Sequence, residues 1–377
     1  MLIKNARVVT PDETFVGVVQ IRDGLIESLS RGNTASSQAI DWQGDYLIPG
    51  LVELHTDNLE KHLAPRPGVL WNTEAAFVIH DAQVASAGIT TVFDALSLGE
   101  RSNVGIRERE LQVRCANALS NFTAQGLLRA DHYLHFRCEI ATTNVVDAFD
   151  ELADHPLLRL VSVMDHTPGQ RQWQDPAKWR AYQERHGKWS DEKMADALSE
   201  LREDQQRYAD AHRRALVERC RARGVPLASH DDTLIEHIEE AAAEGISISE
   251  FPTTLEAARA ARAQGMEIVM GAPNVVRGGS HSGNVRATDL ASENLLDILS
   301  SDYVPSSLMQ AAFALPTLCG WTLSKAIGVV SERPAQSVGL HDRGAIAPGK
   351  RADIVRVRLA DQLPVPLETY LQGRRIA

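Results

Sequence analysis

Short segments in which hydrophobic and polar residues alternate occur at both ends of the chain. Alternation with a period of two predicts β-strands, because successive side chains of a strand point to opposite faces. Turn residues such as Pro11–Asp12 and Arg22–Gly24 separate the N-terminal segments from one another. The segments are Leu2–Val9, Gly17–Ile21, Leu25–Leu29 and Ala352–Val357. We therefore predict a small β-sandwich domain built from residues 1–50 and 339–377.

The middle of the chain has a different pattern, in which apolar strand-like runs alternate with helical runs. Predicted strands begin at residues 225, 246 and 267, each 21 residues after the one before. Gly224, Gly245 and Gly265 stand where the preceding helices are expected to end. Strands that alternate with helices in this way form parallel sheets. We predict an α/β fold, a (β/α)₈ barrel of the TIM type that occupies residues 51–338.

Two longer segments interrupt this regular alternation. A helix over about 191–223 is predicted after Ser190, because acidic residues in its first turn suit the helix dipole. The polar, tryptophan-rich segment 168–190 before it is typical of a long loop or lid.

Composition and charge narrow the function classes. The 377 residues are 44% hydrophobic and 24% charged, which is typical of a globular protein and excludes disorder. The net charge is −11, so broad binding to nucleic acid or to an anionic membrane is not expected. No apolar stretch is long enough to span a bilayer, and the first residues lack the apolar core of a signal peptide. Because cysteines are few, we expect a reducing, cytoplasmic location.

Residues that bind metals stand at the ends of several predicted strands, where a (β/α)₈ barrel carries its active site. A histidine and a carboxylate at positions i and i+2 of a strand point the same way and can bind one ion together. Mixed nitrogen and oxygen ligands suit Zn²⁺ or Mn²⁺. The candidate metal ligands are His55, Asp57, Glu139, His166, His230 and Asp302.

We expect one or two divalent ions at these residues. Glu139 can bridge two ions, and two ions that share a water lower the pKa of that water. Asp302 is expected to orient the water and accept its proton, and His230 is the second candidate catalytic residue. The alternative for a single strand-end histidine is a structural hydrogen bond, and for Asp231 or Asp232 it is a helix N-cap. The histidines interpreted as surface or structural residues are His62, His80, His186, His212 and His341.

A second set of residues is suited to binding an anion. Arg277, Ser280 and His281 lie in the glycine-rich segment 272–284, where the backbone can approach a ligand closely. A flexible loop with an incidental arginine is the alternative for this segment. Further candidate substrate-binding cations are Lys61, Arg66 and Arg171. Together they predict a local basic cluster for an anionic substrate in an acidic protein.

Several longer motifs resemble a known family. Pro49–His55 and the closing segment Gly344–Val355 resemble the amidohydrolase superfamily, whose members place a metal-dependent barrel beside a β-sandwich built from both termini. Within that superfamily the chain is similar to the PhnM family, diphosphatases of the carbon–phosphorus lyase pathway. The motifs that carry this second resemblance are His55–Lys61, Met164–Gln172, Ala228–Asp232, Glu250–Thr254, Gly271–Asn284 and Asp297–Tyr303.

The resemblance implies hydrolysis of α-D-ribose 1-methylphosphonate 5-triphosphate to the 5-phosphate and pyrophosphate by a metal-bound hydroxide. It also implies a functional link to the carbon–phosphorus lyase. Because members of the superfamily are commonly homo-oligomers, the resemblance implies a homo-oligomer as well. The His55-x-Asp57 pair and Glu139 depart from the His-x-His pair and the carbamylated lysine of many members. A site richer in oxygen favours manganese or iron beside zinc, and Glu250 is a further possible ligand.

Two other functions fit the same sequence. The superfamily scaffold mostly hydrolyses C–N bonds, so a deaminase, a cyclic amidase or a deacetylase is the enzymatic alternative. The number of cations argues against it, because a neutral amide does not need them. A non-enzymatic scaffold subunit of a phosphonate-processing assembly is the other alternative, and the full set of strand-end ligands argues against that.

Overall fold

The computed structural model describes residues 1–99, 106–184, 190–280 and 282–377. Its strands are β1 (Leu2–Val9), β2 (Thr14–Arg22), β3 (Leu25–Arg31), β4 (Ile40–Asp41), β5 (Tyr46–Pro49), β6 (Leu51–Thr56), β7 (Ile89–Leu98), β8 (Asp131–Glu139), β9 (Leu158–Met164), β10 (Leu227–His230), β11 (Ile248–Glu250), β12 (Glu267–Gly271), β13 (Ile298–Ser300), β14 (Ile354–Ala360), β15 (Leu363–Leu371) and β16 (Arg374–Arg375).

The helices mostly follow the strands of the middle region. They are α1 (Asn58–Leu63), α2 (Thr73–Ser86), α3 (Arg109–Gln125), α4 (Val145–Leu152), α5 (Pro176–Gln183), α6 (Asp191–Arg223), α7 (Ile235–Ala243), α8 (Leu255–Ala263), α9 (Ala272–Arg277), α10 (Ala287–Ser292), α11 (Ser307–Cys319), α12 (Leu323–Gly328) and α13 (Glu332–Ser337). A single turn of 3₁₀-helix covers Arg171–Trp173.

A mostly antiparallel sheet is built from both ends of the chain. Its strand order is β16-β15-β14-β5-β1-β2-β3, and β4 pairs with β1. The C-terminal strand β14 pairs with the N-terminal strand β5, with Ile354 opposite Pro49. Trp42, Ile3 and Ile354 are among the buried residues of its hydrophobic core. The prediction that both termini contribute to one β-structure is confirmed.

The second sheet has eight parallel strands in the order β13-β12-β11-β10-β9-β8-β7-β6. These strands form a nearly closed barrel, as the alternation of strands and helices along the sequence predicts. All residues of β6 and β7 are buried, as expected for strands that helices cover. In register, His230 of β10 lies opposite Glu250 of β11. The predicted fold class is therefore confirmed.

The chain divides into two compact units with boundaries that differ from those of the predicted domains. One unit consists of Met1–Asp94, Ala118–Tyr133 and Met270–Ala377, and the other of Ala95–Asn117 and Leu134–Val269. The predicted domain boundaries at residues 50 and 339 stay a prediction.

The helix predicted over 191–223 begins and ends as expected. The side chain of Ser190 accepts a hydrogen bond from Lys193 N, and Gly224 ends the helix in the left-handed conformation. The interpretation of segment 168–190 as a long loop or lid was wrong as to a loop for part of its length, because a 3₁₀ turn occupies Arg171–Trp173 and α5 occupies Pro176–Gln183. Residues 185–189, which include the predicted surface histidine His186, lie outside the described residues. None of the described helices is long and apolar enough to cross a bilayer.

Candidate metal centre

Three of the predicted ligands come together at the ends of β6 and β13. We call His55, Asp57 and Asp302 the His55 group, and one ligand atom from each lies within 4.8 Å of the others. His55 Nε2 and Asp57 Oδ1 are 3.9 Å apart. The backbone interlocks these residues, because Asp57 N donates to Asp302 O at 2.9 Å and Asp302 N donates to His55 O at 3.1 Å. The two strand ends are therefore held in a fixed register.

A second set of ligand atoms lies at the ends of β9 and β10. We call His166, His230 and Asp231 the His166 group. Asp231 Oδ2 lies 3.6 Å from His166 Nε2 and 3.5 Å from His230 Nε2. The two imidazole rings are 5.5 Å apart, with an angle of 79° between their planes. Both histidines were predicted as ligands, whereas Asp231 was interpreted as a possible helix N-cap. That interpretation was wrong, because α7 begins later, after Leu234.

Each histidine of the His166 group is oriented by a carboxylate at its other ring nitrogen. His166 Nδ1 lies 2.6 Å from Glu139 Oε2, and His230 Nδ1 lies 2.7 Å from Glu250 Oε2. Ser162 Oγ also donates to Glu250 Oε2, at 2.8 Å. A carboxylate that accepts from Nδ1–H fixes the tautomer and leaves Nε2 as the electron-pair donor. Both Nε2 atoms therefore offer lone pairs on the side where Asp231 lies.

The conformation of Asp231 places its carboxylate beside the histidines. In an extended strand the residue after His230 would point to the opposite face. Asp231 instead has φ +56°, in the left-handed region, and Asp302 has φ +55°. Non-glycine residues adopt this conformation at a cost, and such residues concentrate at functional sites. Both carboxylates thus occupy sharp turns at strand ends.

The donor set of the His166 group fits a divalent metal ion. Asp231 Oδ2 is buried and has no hydrogen-bond partner within residues 1–99, 106–184, 190–280 and 282–377. An unsatisfied buried carboxylate oxygen is costly, and a cation bound beside it removes that cost. Burial alone would lower the pKa of His166, but Glu139 and Asp231 outweigh burial and raise it to about 9. A metal ion bound at His166 must therefore displace a proton.

The predicted substrate cations fall into two sets. Lys61 and Arg277 are exposed, and so is Arg66. Lys61 Nζ donates to the backbone carbonyl of Tyr303, the residue after Asp302, so this cation lies beside the His55 group. Ser280 is half-buried, and His281 lies outside the described residues.

Arg171, by contrast, is buried and binds other residues of the protein. Its guanidinium is buried and pairs with Asp232, and Arg171 Nη1 also donates to His230 O at 3.0 Å. Its backbone adopts the left-handed conformation, with φ +42°. These contacts brace the end of β10 from within, and a direct role of Arg171 in substrate binding stays a prediction.

Sequence reasoning missed a third buried cluster, which contains His80, Asp94 and His132. His80 Nε2 and His132 Nδ1 each lie 2.7 Å from an oxygen of Asp94, and His132 Nε2 lies 3.3 Å from Asp81 Oδ1. Asn58 Nδ2 lies 3.0 Å from both His80 Nδ1 and Gln83 Oε1. Because Gln83 Oε1 can only accept, Asn58 Nδ2 is a donor there, and His80 Nδ1 then accepts from it. His80 Nε2 therefore carries a proton for Asp94, and both carboxylate oxygens of Asp94 are hydrogen-bonded.

This cluster predicts a pH dependence of stability. Burial alone would lower the pKa of His132, but Asp94 and Asp81 raise it to about 9, against 6.5 for the ordinary group. Because the folded value is the higher one, the stabilisation is complete below about pH 6.5 and is lost as the pH rises through about 9. We expect His132→Gln to lower the free energy of unfolding by ~3–5 kcal/mol at pH 6, since it removes the buried cation that lies between Asp94 and Asp81.

Denaturant unfolding between pH 6 and pH 10 tests this expectation. The matched control is His212→Gln, because His212 is half-buried and contacts the backbone carbonyl of Ile140. The wild type and the control should lose stability in parallel above neutral pH, and His132→Gln should lose less. Equal pH profiles for His132→Gln and the wild type would show that His132 is not a buried cation.

Comparison with known proteins identifies the class to which this fold and these metal-ligand groups belong. The model of the amidohydrolase family matches residues 181–374. The chain is also 42% identical to the alpha-D-ribose 1-methylphosphonate 5-triphosphate diphosphatase of Escherichia coli (strain K12), over an alignment that covers both chains completely. The chain therefore belongs to the amidohydrolase family, and within it to the family of that diphosphatase. Amidohydrolases typically use divalent metal ions, in agreement with the two ligand groups.

More distant relatives share the fold. The solved structure of 5-methylcytosine deaminase from Klebsiella pneumoniae superposes with a TM-score of 0.66 at 14% identity, covering 100% of this chain and 98% of that one. N-acetyl-D-glucosamine-6-phosphate deacetylase from Mycobacterium smegmatis gives a TM-score of 0.65 at 15% identity, with complete coverage of both chains. At such identities the likeness extends to the fold alone.

Proposed function

We propose that the chain hydrolyses α-D-ribose 1-methylphosphonate 5-triphosphate to α-D-ribose 1-methylphosphonate 5-phosphate and pyrophosphate. The observation that carries this proposal is the 42% identity, over both complete chains, to the diphosphatase of Escherichia coli. Two convergent groups of histidine and aspartate ligands supply the chemistry that such a hydrolase needs. A wild-type protein that releases no pyrophosphate from this triphosphate with any of Mn²⁺, Zn²⁺ or Fe²⁺ would refute the proposal.

We further propose that the His55 group and the His166 group hold one or two divalent ions. Histidine and carboxylate ligands together suit Zn²⁺, Mn²⁺ or Fe²⁺. When bound, such an ion lowers the pKa of a coordinated water and offsets negative charge on a phosphate. Glu139 remains a candidate ligand through Oε1, because its Oε2 atom is the hydrogen-bond partner of His166 Nδ1. Glu250 is proposed as the orienting partner of His230, because Ser162 and His230 already donate to one of its oxygens.

The remaining steps are assigned to side chains of this protein. Asp302 is proposed to accept the proton of the attacking water, because its carboxylate belongs to the His55 group and lies at a sharply turned strand end. Lys61, which reaches the backbone beside Asp302, is proposed to bind the phosphate oxygens together with Arg277 and Arg66. The positive charges of these side chains stabilise the negative charge that builds up on the phosphate oxygens as the α-phosphorus is attacked and pyrophosphate leaves.

The enzymatic alternative is hydrolysis of a C–N bond. The fold shared with a deaminase and a deacetylase favours it, and the exposed cations Lys61, Arg66 and Arg277 oppose it. A panel of the triphosphate, N-acetylglucosamine 6-phosphate, 5-methylcytosine and a hydantoin, assayed with the same metal-loaded protein, separates the two functions. Turnover of an amide or nucleobase in the absence of pyrophosphate release would support the alternative.

Replacing Arg277 by alanine is expected to raise KM for the triphosphate by about tenfold or more, since a charge-assisted bond to phosphate is lost. The arginine is exposed at the end of α9, so the fold should be unchanged. Arg374→Ala, which removes an exposed cation from β16, is the matched control. If KM and kcat of Arg277→Ala both match those of the control, Arg277 does not bind substrate.

The assembly and location of the protein are also proposals. We propose a homo-oligomer in a cytoplasmic location, acting on a small anionic substrate in the phosphonate pathway, whose product the carbon–phosphorus lyase then consumes. The net charge of −11 supports the proposal that the protein binds neither nucleic acid nor an anionic membrane. Sedimentation analysis of the purified protein tests the oligomer directly.

A further inference from the structure

The side chain of Glu53 connects the two strands that carry the His55 group. Glu53 is completely buried on β6, two residues before His55. Its Oε1 atom accepts hydrogen bonds from His55 N and from Ser300 Oγ, both at 2.6 Å. Its Oε2 atom accepts from Ser301 N, also at 2.6 Å. One carboxylate thus joins the backbone of a proposed ligand on β6 to the two residues that precede Asp302.

These bonds lie at the two end strands of the parallel sheet. The strand order runs from β13 to β6, and the isolated bridge between Thr56 and Asp302 pairs the chain at those two ends. Because β13 has only three residues, its backbone offers few groups for a ladder. Ser300 Oγ lies 2.5 Å from His55 O and 3.5 Å from Asp302 N. Side-chain bonds from Glu53 and Ser300 therefore supplement the sparse backbone pairing.

We propose that Glu53 is a positioning residue that sets the separation of His55 from Asp302 by clamping β6 to β13. The inference rests on the proposed function, in which the His55 group holds a divalent ion. Partners that orient metal ligands contribute strongly to affinity, and their loss typically costs 10–100-fold in metal binding or activity. Glu53 contacts the backbone of His55 and the residues before Asp302, and it is not itself one of the proposed ligands.

The geometry requires a carboxylate of this length. In a Glu53→Gln variant an amide oxygen at the Oε1 position keeps the bonds from His55 N and Ser300 Oγ. The amide nitrogen then faces Ser301 N, so two buried donors oppose each other. In Glu53→Asp the side chain is one methylene shorter and cannot span both strands without moving one of them. Both variants are therefore expected to loosen the His55 group.

Metal affinity measured without substrate tests the clamp. Competition with a chromophoric chelator gives the dissociation constant for Mn²⁺, and a His55→Ala variant identifies the ion that the His55 group binds. We expect Glu53→Gln to weaken the binding of that ion by about 10–100-fold. The matched control is Asp353→Asn, which alters a buried carboxylate directly before β14 that accepts from Gln372 N, directly after β15. The control is expected to lower stability and to leave Mn²⁺ affinity unchanged.

The outcomes separate the clamp from the proposed function. A folded Glu53→Gln protein that binds Mn²⁺ as tightly as the wild type would overturn the positioning role. If Glu53→Gln does not fold, Ser300→Ala removes one bond of the clamp, and unchanged Mn²⁺ affinity in that variant would overturn the role instead. Absence of pyrophosphate release by the wild type would refute the diphosphatase proposal, while the affinity comparison would still decide the role of Glu53.

Discussion

Replacing Asp302 by asparagine is expected to lower kcat for triphosphate hydrolysis by about 10²–10⁴-fold, the range that a general base contributes. The amide keeps the size of the side chain but cannot accept the proton of the attacking water. Folding should be preserved, because asparagine tolerates the left-handed conformation that Asp302 adopts at φ +55°. The backbone bonds that Asp302 makes with Asp57 and His55 do not depend on its side chain.

Steady-state kinetics of the metal-saturated variant give the measurement, with circular dichroism as the check on folding. Asp289→Asn is the matched control, since Asp289 is an exposed aspartate in the first turn of α10. The control should have the kcat of the wild type. Turnover of Asp302→Asn within a few-fold of the control would remove Asp302 from the reaction.

Replacing Asp231 by asparagine is expected to weaken metal binding at the His166 group by about 100-fold or more, beyond the loss typical of an orienting partner. The variant removes the negative charge of a buried carboxylate that faces both His166 Nε2 and His230 Nε2. It should also lower the pKa of His166, because Asp231 is one of the two carboxylates that raise that pKa. Asparagine again accommodates the left-handed backbone.

Isothermal titration with Mn²⁺ and Zn²⁺, together with the count of bound ions, measures this effect. Glu244→Gln is the matched control, because Glu244 is a half-buried carboxylate that pairs with Arg213 at 2.7 Å. Loss of one ion, or of its tight binding, in Asp231→Asn alone is the expected result. An unchanged stoichiometry and affinity would show that Asp231 is not a ligand.

The periodic parts of the structure could be predicted from the sequence. Alternation with a period of two reveals the strands at both ends, and the spacing of Gly224, Gly245 and Gly265 reveals the βα repeat, because each glycine adopts the positive φ that ends a helix. The clustering of candidate metal ligands could be predicted as well, because a (β/α)₈ barrel brings the carboxyl ends of its strands together at one face. His55, Asp57 and Asp302 were found in this way and do come together.

Other features of the candidate site could not be predicted, because they depend on single backbone torsion angles and on contacts between residues far apart in the sequence. Asp231 was offered only as a possible helix N-cap, and its left-handed conformation, which no sequence pattern marks, brings its carboxylate beside His230. Arg171 was predicted to bind substrate, and the sequence did not reveal its ion pair with Asp232, which lies 61 residues along the chain. The cluster around Asp94 joins α2, β7 and β8, and no local pattern marks such a combination.

The most direct test of the proposed reaction follows the isotope of the attacking oxygen. The wild-type protein, reconstituted with Mn²⁺ or Zn²⁺, is incubated with α-D-ribose 1-methylphosphonate 5-triphosphate in H₂¹⁸O, and the products are resolved by ³¹P NMR. Attack at the α-phosphorus predicts metal-dependent release of unlabelled pyrophosphate, with one ¹⁸O in the 5-phosphate. Release of orthophosphate, or ¹⁸O in the pyrophosphate, would contradict the account.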